Sequence, residues 1–222
     1  MALVTDKCIF IHVQKTGGMS VRQAMHSCTG GAHESGPIES ERHIGLPELL
    51  VAHPGIDTGR LVFGFVRHPL TWLSSRYHFA RESGFEVQRK HRPSAAALWI
   101  SSCWAPTFSE FIERYLERFP GVATQEMYRR LGLWSGRPAD RVGRLETLAD
   151  DLPAYLAEAG ETFDAAKVRA MQPVNTTTRT GDQYIRLPEA TVNAVLQAER
   201  SLVERFYSDS GACSPYLVAH RR

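Results

Sequence analysis

Residues 8–18, Cys8-Ile9-Phe10-Ile11-His12-Val13-Gln14-Lys15-Thr16-Gly17-Gly18, decide the fold. The run at 8–13 is rich in β-branched and aromatic residues and does not alternate with polar ones, so it reads as a strand buried on both faces. Two glycines turn the chain, and Ser20 to Ser27 then carries a helical pattern. A second helix near Leu46 to Ala52 precedes another continuous apolar run, Leu61-Val62-Phe63-Gly64-Phe65-Val66. Strand, helix, strand with short connections is the βαβ unit, whose crossover makes the strands parallel and places ligands beyond their carboxyl ends.

Working outward, a helix is expected after Pro69 through Trp72, Leu73 and Tyr77. Residues 83–106 are the least regular stretch, with a basic patch at Gln88-Arg89-Lys90-His91-Arg92-Pro93 and a short helix at Ala95 to Ser101. Phe108, Phe111, Ile112, Tyr115 and Leu116 recur at helical spacing. So do Val192, Val195, Leu196, Leu202, Val203 and Phe206, read as one closing helix with Glu199 as its polar exception. Between these two helices Arg141-Val142-Gly143-Arg144-Leu145 suggests a third short strand, with Leu148 to Ala159 helical behind it despite Pro153. No fixed-period repeat is visible, which excludes solenoids and propellers.

At 222 residues the chain has room for one domain, 1–222, with a single core. Lysine plus arginine number 26 against 24 aspartate plus glutamate, a net charge of +2 that gives no general attraction to nucleic acid or anionic lipid. Any anion must be met locally. Hydrophobic residues at 43% and charged residues at 23% are ordinary globular usage. No run approaches the roughly 18 apolar residues of a membrane span. The strand at 8–13 begins close to Met1 and leaves little room for a cleavable leader, so a cytoplasmic location is expected. Cys8, Cys28, Cys103 and Cys213 include no CxxC pair, and reduced thiols are expected rather than a disulfide framework or zinc ribbon. The sequence carries no signal for oligomeric state, and the sequon at Asn175 carries no weight in such a chain.

A strand that runs into a glycine-bearing turn and then a helix gathers unpaired N–H groups and the positive end of the helix dipole at one point, which suits a phosphate. Gly17 and Gly18 admit positive φ and close approach; Lys15 adds a charge, and Thr16 and Ser20 add hydroxyls. A plain βα turn with a surface lysine is the alternative. In the nucleotide-binding P-loop the lysine follows the glycines, whereas here it precedes them. A magnesium-dependent enzyme of that kind also wants an aspartate at a neighbouring strand end. The strand at 61–66 ends in Arg67 instead. A site with two cations and no carboxylate favours a multiply anionic nucleotide handled without a metal. Arg67, in Phe65-Val66-Arg67-His68-Pro69, offers a planar fork for phosphate, and Ser75 a hydroxyl on the next helix. A structural arginine satisfying nearby carbonyls is the alternative.

Together these segments resemble the PAPS-dependent sulfotransferases, in particular the carbohydrate branch that includes the heparan sulfate 6-O- and 2-O-sulfotransferases and short bacterial relatives. In that family a KTG-type loop after a strand binds the 5′-phosphosulfate, and an RxP segment with a serine eight residues after the arginine binds the 3′-phosphate. The matching pieces here are Phe10 through Ser20, and Phe65 through Pro69 with Ser75 and Tyr77. Thinner similarity continues through Val142-Gly143-Arg144-Leu145-Glu146, Pro173-Val174-Asn175 and Arg205-Phe206-Tyr207. Two departures stand out: Met19 replaces the usual serine or threonine, and His68 the usual asparagine or aspartate.

The resemblance implies an α/β, P-loop-like three-layer fold with a central, mainly parallel sheet flanked by helices. It implies transfer of a sulfuryl group from PAPS to an acceptor hydroxyl, first of a carbohydrate or glycoconjugate and second of a small hydroxylated metabolite. Lys15, Thr16, Gly17, Gly18, Met19 and Ser20 would hold one end of the donor, Arg67 and Ser75 the other, and Arg179, in the late loop 175–181, could touch a phosphate. No metal is called for. Lys15 would also act on the leaving phosphate. A general base is needed, and His43, before the second helix, is the leading candidate, with a helix-start structural role as its alternative. Glu34, Glu39 and Glu41 are fallback bases. His12, placed inside the strand, reads as structural, and the patch at Arg89, Lys90 and Arg92 as a solvated face. A magnesium-dependent nucleotide kinase and a non-catalytic nucleotide-binding module remain the competing classes.

Overall fold

Side chains buried at every position of Cys8–Ile11, and at all but the first of Leu61–Val66, make these stretches the centre of the sheet. A computed structural model describes residues 2–28, 44–82, 95–170 and 187–208. In chain order the elements are β1 (Ala2–Val4), β2 (Cys8–Ile11), α1 (Gly18–Cys28), α2 (Leu46–Ala52), β3 (Leu61–Val66), α3 (Pro69–Glu82), α4 (Ala95–Ser102), α5 (Phe108–Arg118) and α6 (Val122–Arg130). They continue with β4 (Arg141–Arg144), one 3₁₀ turn (Leu145–Thr147), α7 (Leu148–Glu158), α8 (Ala165–Ala170), α9 (Glu189–Ala198) and α10 (Arg200–Phe206). The chain forms two compact units, one from Met1–Arg67 and Gln125–Thr176, the other from His68–Thr124 and Thr177–Arg222.

The first unit is α/β. Its sheet, among the described residues, has four strands in the order β1-β2-β3-β4. β2, β3 and β4 are parallel, with Ile11 opposite Gly64 and Val66 opposite Arg144, while β1 runs antiparallel to β2 with Leu3 opposite Phe10. The mainly parallel sheet is as expected; the antiparallel edge strand is not, because three residues, Ala2–Val4, are too few to show a period. On one face Phe10, Phe63 and Phe65 pack with Val21 and Met25 of α1 and with Leu152 of α7. On the other face Leu131, just after α6, lies so close to β3 that a Cβ on Gly64 would come within 2.3 Å of its Cδ2. Helices therefore flank the sheet. Pro153 is buried inside α7, facing the core with Leu152 and Leu156.

The second unit is helical among its described residues. Trp72 of α3 stacks on Trp99 of α4 at 5.7 Å, and the Arg76 guanidinium lies over both rings. The Tyr77 hydroxyl donates to the Pro106 carbonyl at 2.7 Å. Thr107 and Glu110 form a reciprocal cap that starts α5. The closing helix is not one helix but two, α9 and α10, and the residue between them explains why. Glu199 is fully buried, and its carboxylate accepts from the N–H groups of Ala123 (2.9 Å) and Thr124 (2.7 Å) and from the Tyr115 hydroxyl (2.5 Å). That reach takes its backbone to φ −103°, ψ 23°, out of helical register.

Several elements differ from the sequence reading. β2 stops at Ile11, so His12 and Val13 leave the ladder and His12 is not a mid-strand residue. α1 starts at Gly18, two residues early. α6 and α8 were not anticipated, because α6 is polar over most of its length (VATQEMYRR) and α8 has only six residues. Among the described residues no helix is long and apolar enough to cross a membrane.

Candidate functional site

Parallel pairing of β2 and β3 brings their carboxyl ends together, so the segments that leave them emerge side by side. After β2 the chain makes a tight turn through Gln14, Lys15 and Thr16 to Gly17. Lys15 takes φ +65° and is the one non-glycine residue with positive φ among the described residues; Gly17 takes φ +83°. The left-handed region costs a residue with a Cβ about 1 kcal/mol or more, so something must hold Lys15 there. Two contacts inside the turn do so. The buried Thr16 hydroxyl donates to the Val13 carbonyl at 2.9 Å, and Arg67 Nη1, from the residue after β3, donates to the Lys15 carbonyl at 3.1 Å.

The Gly17 carbonyl accepts from the N–H groups of Ser20 (2.9 Å) and Val21 (3.2 Å) and so opens the first turn of α1. The N–H groups of Gly18 and Met19 then lie at helix positions that have no carbonyl inside the helix to donate to. They point with the dipole of α1 toward the turn, where the half-buried Lys15 and Arg67 add two cations. Gly17 is pressed by Leu145, whose Cδ1 would stand 2.5 Å from a Cβ there. Gly18 has no positive φ; it is glycine because the His12 ring occupies its Cβ position, with Cδ2 and Nε2 at 2.0 and 2.1 Å.

The sequence-derived site residues fare unequally. Lys15, Thr16, Gly17, Gly18, Met19, Ser20 and Arg67 share this one corner of the first unit. The Thr16 hydroxyl, expected to serve a ligand, donates its hydrogen to the Val13 carbonyl at 2.9 Å. Met19 is 49% exposed and contributes a thioether where a hydroxyl is usual in the resembled family. Ser75 belongs to the second unit, where it is buried on α3. In that unit His68 also starts α3, its carbonyl accepting from Trp72 N–H at 2.9 Å and its ring meeting Tyr207 edge-on at 5.2 Å. His43, Arg179, the basic patch at 88–93 and the loop at 175–181 lie outside the described residues.

Two further polar residues lie near this corner. His12, set aside as strand interior, is buried beside the start of α1, with its ring on that of Phe10 at 6.0 Å. Arg144 closes β4 opposite Val66 and adds a third cationic residue to the carboxyl edge of the sheet. Its N–H donates to Asp151 Oδ2 at 3.2 Å, an oxygen that also accepts from the Thr147 hydroxyl at 2.6 Å. The signal was clearer for His12, which follows an apolar strand, than for Arg144, which ends the short mixed strand Arg141–Arg144. Cys8 and Cys103 are buried, and burial pushes their thiols up to about 12 and about 11, which favours the protonated form. Among the described residues no group of three histidine, cysteine or acidic side chains could hold a metal ion.

This corner gathers the first N–H groups of α1 and the cationic residues Lys15 and Arg67 at the carboxyl ends of β2 and β3. No protein-family model matches the chain, and no curated protein or solved structure matches it.

Proposed function

We propose that the chain is a PAPS-dependent sulfotransferase with a P-loop-like three-layer fold, moving a sulfuryl group to a hydroxyl of a carbohydrate or glycoconjugate. The observation that carries the reading is the 3.1 Å hydrogen bond from Arg67 to Lys15 across 52 residues of sequence. Arg67, from the motif matched to one end of the nucleotide, reaches the turn matched to the other end. In the proposed reaction the bond between sulfur and the bridging phosphate oxygen breaks as a bond from sulfur to the acceptor oxygen forms. The acceptor proton passes to a base, for which His43 is the candidate, and the leaving phosphate takes the electron pair. Such a transfer depends on positioning and charge rather than covalent catalysis. Lys15 and the N–H groups at the start of α1 supply positive field for the leaving phosphate.

The deciding experiment is calorimetric titration without metal, comparing adenosine 3′,5′-bisphosphate with ADP. Micromolar binding of the first, at least tenfold tighter than the second, is the expected result. ADP bound equally well, or only with magnesium, would favour a kinase. Labelled PAPS offered to sugars and to small hydroxylated metabolites then separates the acceptor classes, and nucleotide binding with no transfer to any of them would mark a binding module. His43→Ala should lower kcat by roughly 10²–10⁴-fold and leave bisphosphate affinity unchanged.

A further inference from the structure

The family resemblance implies that Arg67 serves one end of the nucleotide and Lys15 the other. Their geometry joins them: a guanidinium N–H holds the carbonyl of the residue whose backbone is in the left-handed region. Resting on the donor reading above, we propose that Arg67 is also a positioning residue for the Lys15 turn. By fixing the Lys15 carbonyl it keeps φ at +65° and so keeps the N–H groups around Gly17 and Gly18 aimed at one anion. The bond uses one of the five N–H groups of the guanidinium, so it does not by itself exhaust the fork. Recognition of the two ends of the donor is then coupled through a backbone carbonyl. A ligand with no 3′-phosphate still depends on Arg67.

A double-mutant cycle on anion affinity tests this. Wild type, Arg67→Ala, Lys15→Gly and the double variant are titrated with adenosine 5′-phosphosulfate, which lacks a 3′-phosphate, with adenosine 3′,5′-bisphosphate, and with sulfate alone. Arg67→Ala should weaken adenosine 5′-phosphosulfate about tenfold, the ratio that corresponds to about 1.4 kcal/mol. Glycine adopts φ +65° unaided, so in the Lys15→Gly background the same change should cost less than about threefold. A purely structural arginine would lower the urea midpoint in both backgrounds and leave the affinity ratio alone. Should the alanine variant not fold, Arg67→Lys, which keeps a cation at the strand end, carries the same cycle.

No effect of Arg67→Ala on adenosine 5′-phosphosulfate, or an equal loss in both backgrounds, would overturn the proposal while leaving bisphosphate binding, and the donor reading, intact. Sulfate binding that follows the coupled pattern in a protein that ignores both adenosine compounds would remove the donor reading and keep the positioning role. Binding of none of the three overturns both.

Discussion

Replacing Gly18 by alanine tests the packing of the site without removing a charge. An ideal Cβ at Gly18 would stand 2.0 Å from His12 Cδ2, 2.1 Å from Nε2 and 2.7 Å from Cγ. Carbon atoms in contact sit roughly 3.5–4.0 Å apart, so the overlap is about 1.5 Å and spans one edge of the ring. The ring has little room to yield: it is 9% exposed and lies against Phe10. Overpacking of this kind costs about 1–3 kcal/mol, against a gain of less than about 1 kcal/mol from alanine's helix propensity. The expected balance is a loss of about 1–2 kcal/mol, read as a urea midpoint lower by roughly 0.5–1 M. Because the first turn of α1 must shift, sulfate or bisphosphate affinity should fall about tenfold or more. His12→Ala removes the obstacle, so Gly18→Ala made in that background should cost close to nothing, a coupling of at least about 1 kcal/mol. The reasoning is refuted if Gly18→Ala is as stable as wild type, or if its cost is the same with and without the imidazole.

Other outcomes follow from the same structure. Lys15→Ala should weaken sulfate and bisphosphate binding by about tenfold or more; equal affinity in a titration would remove it from the site. Glu199→Gln leaves a fully buried cluster with one acceptor oxygen for donors that now share two, so unfolding free energy should drop by about 2–4 kcal/mol, measured by urea denaturation. Burial, reinforced by the Glu199 charge, pushes the Tyr115 hydroxyl upward, so its ultraviolet titration should be absent until the chain unfolds. With Cys8 pushed to about 12 and Cys103 to about 11, both thiols keep their protons in the fold to higher pH than in the unfolded chain. Their contribution to stability is complete below about pH 8.5 and declines as the pH rises from there. Peptide-resolved alkylation at pH 8.5 should therefore label both only after urea is added.

What could be read from the sequence divides along physical lines. β2 and β3 were legible because a parallel strand covered on both faces must be apolar at every position. β4 was faint because one of its four residues is a glycine, and the structure shows why: a Cβ on Gly143 would lie 2.7 Å from the Phe65 ring and 2.8 Å from Asp151 Oδ2. The break at Glu199 was invisible for the opposite reason. Its cause lies in the N–H groups of Ala123 and Thr124, some 75 residues earlier, which no local pattern encodes. At the site, the glycine turn and the two cations were legible as residue types, but the Thr16 hydroxyl pointed inward and the Gly18 requirement came from His12, both of them set by side-chain direction.

The alternation that buries the core also decides where the functional groups go. Phe10, Phe63 and Phe65 pack with Val21 and Met25 of α1, and beyond β2 the His12 ring lies on Phe10 and against Gly18 at the start of that helix. With Ile11 opposite Gly64, β3 runs two residues past the end of β2 to Val66, and the Arg67 guanidinium reaches back to the Lys15 carbonyl. A register slip of one residue would move the phenylalanines to the opposite buried face, away from α1 and α7, and shift Arg67 relative to the turn. Packing selects the register, and the register brings Arg67 to Lys15. That is why a site whose two halves lie 52 residues apart can be as well defined as one built on a single loop.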